Sequence, residues 1–174
     1  MEFGIYSRYM VDDIVPTSKK AILIRIFSDY SDYFDMKYID LYSNVLELYI
    51  KDFCERKDEE LKKLIDMFIE LNKFILSNDF DEVIVHCTLG ISRSPAIMIC
   101  IAKILGCLEI ENIVKEKFKV YNKIIVDEFE KFNYLNKVIN VDNIVFSGHK
   151  VENNCCSFDI IDNNNDTYSL VLKR

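Results

Sequence analysis

Residues 83–96 read VIVHCTLGISRSPA, and the fold turns on this stretch. Val83, Ile84 and Val85 are consecutive β-branched residues, which suits a strand buried on both faces, as in a parallel sheet. Strand character stops at the His86–Cys87 pair. Pro95 fits a first helical turn, where the missing N–H costs nothing. The following AIMICIAKIL (96–105) is apolar nearly all round, as expected of a central buried helix. Gly106 suits its C-terminal stop.

Working outward, AILIRIF (21–27) and VLELYI (45–50) are further short β-rich runs. Between the second of these and 83–86, Leu61, Leu64, Ile65, Phe68, Leu71 and Ile75 recur at helical spacing, predicting an amphipathic helix over 58–77. Asp58, Glu59 and Glu60 suit its N-terminal turn. Strand, helix and strand in that order predict a right-handed crossover between parallel strands. Residues 109–119 and 123–138 continue as amphipathic helices, and Asn122 is placed to cap the second. SFDIIDNNNDTYSLVLKR (157–174) reads as a β-hairpin around a polar loop. The expected fold is α/β: a central, mostly parallel sheet flanked by helices on both faces, with a small C-terminal hairpin appended. The expected division is a catalytic domain over 1–144 and an extension over 145–174.

The 174 residues suit one well-packed domain. A net charge of −7 argues against nucleic acid or an anionic membrane as the main partner and tolerates basic peptides. MEFGIYSRYMVDD has no basic segment followed by a long apolar one, so no secretory signal is read. The six cysteines do not form a disulfide pattern: Cys155 and Cys156 are adjacent, and Cys100 and Cys107 lie in or beside the buried helix. A reduced, cytoplasmic protein is expected. Residues 28–44, SDYSDYFDMKYIDLYSN, carry four aspartates and four tyrosines. They read as a surface loop pinned by aromatics, with a substrate-contacting acidic rim as the alternative. His149 has no second ligand in view, and DNNND (162–166) lacks the glycine and glutamate of a calcium loop.

A strand ending at Cys87, a turn over 88–92 and a helix from Arg93 leave several backbone N–H groups facing one concavity at a helix N-terminus. Such a concavity binds anions, phosphate above all. Gly90 permits a backbone conformation that a side chain would obstruct. Arg93 adds a planar fork that holds two phosphate oxygens. The same field favours a thiolate at Cys87, a nucleophile aimed at phosphorus. Ser94 is placed to donate to the sulfur. His86, on the opposite face of the strand, is expected to support the loop through ring hydrogen bonds.

HCTLGISRS (86–94) resembles the active-site signature of the cysteine-based protein tyrosine phosphatases: His-Cys, five residues, Arg, then Ser or Thr. The short chain resembles their compact dual-specificity-like branch. The resemblance covers roughly 1–140, KVYNKIIVDEFEKF (119–132) is weakly similar to the helical region that follows the phosphate loop, and the tail after about 145 does not share the resemblance. It implies a cysteinyl-phosphate mechanism with phosphate held by Thr88, Leu89, Gly90, Ile91, Ser92 and Arg93, and no cofactor or metal. It also implies a general acid on the loop before the helix. Asp52, directly after VLELYI and 35 positions before Cys87, is close to the family's usual spacing; Asp58 is the other candidate, with a helix cap as its competing role. Cys54 is a possible redox partner of Cys87, with a half-buried spectator as the plainer reading. The chain has no tryptophan, so the acid loop of the larger receptor-type domains is absent. Thr88, Leu89, Ile91 and Ser92 include no lysine, unlike the loops of phosphoinositide-directed relatives. The expected partner is a phosphorylated protein, on phosphotyrosine and also phosphoserine or phosphothreonine, acted on by a monomer. A phosphotyrosine-binding module with little turnover and a phosphatase of lipid or RNA 5′-phosphates stay open as alternatives.

Overall fold

Four parallel strands form the centre of the protein: β1 (Glu2–Ser7), β2 (Ala21–Phe27), β3 (Asn44–Tyr49) and β4 (Glu82–Cys87), in spatial order β3-β2-β4-β1. The computed structural model describes residues 1–53, 55, 58–139, 157–162 and 168–173. Every residue of β2 and β4 is buried, as their continuous apolar runs require. Strand β1 was not expected. EFGIYS holds a glycine and polar ends, and it becomes a strand through full-length pairing with β4, from Glu2–Glu82 to Ser7–Cys87. Two further strands, β5 (Ser157–Asp162) and β6 (Tyr168–Lys173), pair antiparallel with each other, and β6 pairs antiparallel with β1. The residues between them, with His149, Cys155 and Cys156, lie outside the described set.

One face of the sheet carries α2 (Asp58–Ser77), α3 (Arg93–Ile104), α4 (Leu108–Lys117) and α5 (Lys123–Ile139). Ile22, Ile24, Ile26, Val83 and Val85 meet Phe68, Leu71, Ile97, Ile101, Val114 and Phe129 in one core. Each such side chain, fully buried, contributes roughly 1.5–3 kcal/mol. Helix α3 is buried from Arg93 to Ala102, and Gly106, at φ 68°, ends its last turn in the left-handed conformation. One position departs from the expected stripe of α2. Ile65 is 49% exposed, and Met67 takes its place beside Leu64, Phe68, Leu71 and Ile75. Residues 64, 67, 68, 71 and 75 cluster within one face at 3.6 residues per turn, and 65 falls outside it.

The opposite face is covered by α1 (Arg8–Val11) and the 28–42 connection, which contains single 3₁₀ turns at Tyr30–Asp32 and Ile39–Leu41. Arg25, fully buried on this face, is held by Glu47 Oε1 at 2.8 Å and by the Phe34 carbonyl, with the rings of Phe27, Tyr33 and Phe34 stacked about its guanidinium. The aromatics of 28–44 do pin that loop, and a buried cation is what they close on. Among the described residues, no helix is long and apolar enough to cross a membrane.

Candidate active site

Strand β4 delivers Cys87 and helix α3 begins at Arg93, so residues 88–92 are the whole turn between them. The Cys87 sulfur faces the α3 side of the sheet, in the main core cluster. It accepts the Gly90 N–H at 3.3 Å and lies 3.2 Å from Ser94 Oγ. Both are groups from which a thiolate accepts. Gly90 has φ 79°, and a Cβ added there would stand 2.7 Å from Ser7 N and 2.8 Å from the Tyr6 carbonyl carbon. The turn therefore packs against the end of β1 at a distance only glycine allows.

Arg93 is 4% exposed and fixed from three sides. Its Nη1 donates to Ser28 Oγ and to the Ile50 carbonyl, both at 3.0 Å, and Nη2 donates to Thr88 Oγ1 at 2.8 Å. Its Nε is buried with no acceptor among the described residues. A buried unsatisfied donor on a cation is costly, and an anion in the turn would satisfy it.

Asp52 follows β3 and meets the rim of this turn. Its Oδ1 accepts from Ser92 Oγ at 2.8 Å and from Asn122 Nδ2 at 2.9 Å. Asp58, the other candidate acid, is the first residue of α2, and its side chain, like Cys54, lies outside the described residues. The structure thus brings Cys87, Gly90, Ser92, Arg93, Ser94 and Asp52 around one turn, with Thr88 bonded to Arg93. Leu89 is exposed, and Ile91 lies beside Ser92 in the turn.

His86 faces away from Cys87, and its ring is buried under the aromatic loop. Among the described residues neither ring nitrogen makes a hydrogen bond of good geometry, although the Cys87 backbone interacts with the ring. The ring stands edge-on to Phe27 and Phe34 at centroid distances of 6.1 and 5.5 Å, so packing is its main contact. Burial, and then the charges of Arg25 and Arg8, push its pKa down to about 3, leaving a neutral imidazole.

Three contributors were not legible in the sequence: Ser28, the Ile50 carbonyl and the side-chain amide of Asn122. Asn122 does cap α5, its Oδ1 accepting from Ile125 N–H at 3.3 Å. Its reach to Asp52 is tertiary, across 70 positions of chain. On the rim, Asp29 and Asp32 bond within their own loop, to Ser31 N–H and Ser28 N–H. Bonds from the Ser31 side chain and backbone hold the Asp29 carboxyl below its usual value. Burial pushes the Cys100 thiol well up, which leaves it an unreactive core residue.

Fold and site together define an α/β protein with a buried cysteine and a buried arginine at the two ends of one strand–turn–helix connection. No family model matches the chain, and no curated protein matches it. Among solved structures it is similar to the human tyrosine phosphatase-like serine/threonine/tyrosine-interacting protein, at 20% identity over 68% of this chain and 78% of that one, with a TM-score of 0.46. It is also similar to Tk-PTP in a glycine-to-alanine mutant form, at 13% identity over 78% of this chain and 91% of that one, with a TM-score of 0.48.

Proposed function

We propose that this chain hydrolyses phosphate monoesters on phosphotyrosine, and also on phosphoserine and phosphothreonine, of protein substrates through a cysteinyl-phosphate intermediate. The observation that carries this reading is the buried Arg93 Nε without an acceptor, on the same turn that gathers Gly90 N–H and Ser94 Oγ about the Cys87 sulfur. Phosphate oxygens accept from Arg93 and from the backbone N–H groups of 88–93. The Cys87 thiolate attacks phosphorus while the bond to the leaving oxygen breaks, and Asp52 gives that oxygen its proton. Water then attacks phosphorus as Asp52 takes its proton. The S–P bond breaks with both electrons returning to sulfur, where Ser94 Oγ donates to the departing thiolate.

The absence of lysine from Thr88–Ser92 and the net charge of −7 favour proteins with basic flanks over phosphoinositides. Residues 1–144 form the catalytic domain in this reading, and a reducing cytoplasmic setting suits its thiols, with Cys87 and Cys100 free and buried.

The test is turnover of an aryl phosphate with a chelator present. Wild type is active, while Cys87→Ser and Arg93→Ala each lose at least about 10³-fold, because nucleophile and clamp act as a unit. Cys87→Ser still binds a phosphotyrosine peptide, and Arg93→Ala does not. Substantial turnover by Cys87→Ser overturns the mechanism, and a wild type that binds without turnover is a binding module instead.

A further inference from the structure

Asn122 makes more bonds than a helix cap needs. Besides accepting from Ile125 N–H, its side chain donates from Nδ2 to the Phe53 carbonyl at 3.0 Å and to Asp52 Oδ1 at 2.9 Å. Its backbone N–H donates to the Ser92 carbonyl at 3.1 Å. Only this orientation of the amide sets nitrogen against two acceptors and oxygen against a donor, so the network fixes it. Asn122 is 7% exposed, whereas Asp52 is exposed. The amide is the fixed partner, and the aspartate is what it holds.

We propose that Asn122 is a positioning residue for the general acid, an inference that rests on the phosphatase reading above. It acts in two ways. Asp52 Oδ1 already accepts from Ser92 Oγ and Asn122 Nδ2. An oxygen accepting two donors is the poorer site for a proton, so the transferable proton sits on Oδ2. The bond to the Phe53 carbonyl holds the backbone next to Asp52, while the bond to the Ser92 carbonyl anchors Asn122 to the phosphate turn. The acid is thereby referenced to the turn that grips the phosphate, and a slip of about 1 Å in such a constellation costs on the order of 10²-fold in rate.

The variant Asn122→Ser keeps an oxygen to cap Ile125 N–H but is too short to hold Asp52 or the Phe53 carbonyl. Its kcat on an alkyl phosphate, whose leaving group needs the proton, falls by about 10–100-fold, within the range of general-acid contributions. On an aryl phosphate with an acidic phenol the fall is several-fold at most, and KM stays nearly constant on both substrates. In an Asp52→Asn background, Asn122→Ser costs no further activity, because the group it positions no longer supplies a proton. Asn122→Asp also caps the helix and sets a carboxylate against Asp52, so it repeats the test should Asn122→Ser fold poorly. Equal loss on both substrates, or undiminished loss in the Asp52→Asn background, makes Asn122 a structural cap only and overturns the inference while leaving the phosphatase reading intact. A wild type inactive on both substrates overturns the phosphatase reading itself.

Discussion

Gly90 concentrates the demands of the site on one residue. Its φ of 79° disfavours any side chain by roughly 1–2 kcal/mol, the general cost of left-handed backbone for L-residues. The steric demand is separate and larger, since a Cβ would press on the backbone of Tyr6 and Ser7 rather than on a flexible side chain. Gly90→Ala must therefore push the turn away from β1 and pull its N–H from the Cys87 sulfur. The expected result is a loss of about 2 kcal/mol or more in urea unfolding, together with weakened phosphate binding by calorimetry. Wild-type binding in a protein that has lost this stability would show that the close approach serves folding alone. This glycine was legible because its local role follows from its place between a strand and a helix. Asn122 was half legible. Its cap is a sequence-local feature, while its hold on Asp52 exists only once the chain has folded.

At the scale of elements, hydrophobic period located the elements that bury their own apolar pattern: β2, β4, α2 and α3. It missed β1, whose stability as a strand comes from its partner and not from its residues. It says nothing of how Arg25, fully buried within β2, is accommodated. No propensity predicts that a buried cation will be met by Glu47 from the neighbouring strand, by Phe27 at the end of its own strand and by two rings from a loop. The pair is asymmetric, because Glu47 is 33% exposed and Arg25 is not exposed at all. Removing Glu47 strands a charge in the interior, whereas removing Arg25 leaves a carboxylate that can turn to water. Glu47→Ala should therefore destabilise more than Arg25→Met, which also removes the Arg25 Nε that has no partner among the described residues. Breaking a buried pair costs roughly 3–5 kcal/mol, and water at Glu47 brings its loss to the lower end of that range or below. Paired urea unfolding curves decide it. The reverse order would mean that the ring stack and the Phe34 carbonyl contribute more than the ion pair.

At the scale of the whole molecule, the face opposite the helices gathers Arg25, Arg8 and His86 under one aromatic loop, and this arrangement couples folding to pH. His86 is held near a pKa of about 3 by burial first and by the two arginines second, against an ordinary value of 6.5. The folded value is the lower one, so between these limits the unfolded chain binds a proton that the folded chain refuses. Stability is then fully present above pH 6.5 and falls as pH drops through the window, by up to about 1.4 kcal/mol per unit. Glu82 works in the opposite sense. Burial raises its carboxyl above the ordinary value despite bonds from Ser18 N–H and Thr17, so its contribution is present at acid pH and is lost as pH rises through the folded value. Comparing wild type with His86→Phe removes Glu82 and every other shared group from the balance. Phenylalanine keeps an aromatic ring against Phe27 and Phe34 and cannot titrate. Relative to its difference from wild type at pH 7.5, the variant should gain about 1.4 kcal/mol at pH 5.5 in urea unfolding, the linkage expected one unit below the unfolded histidine pKa. A difference between the two proteins that does not change with pH would mean that the folded interior accepts the proton, and that the packing around His86 opens to admit it.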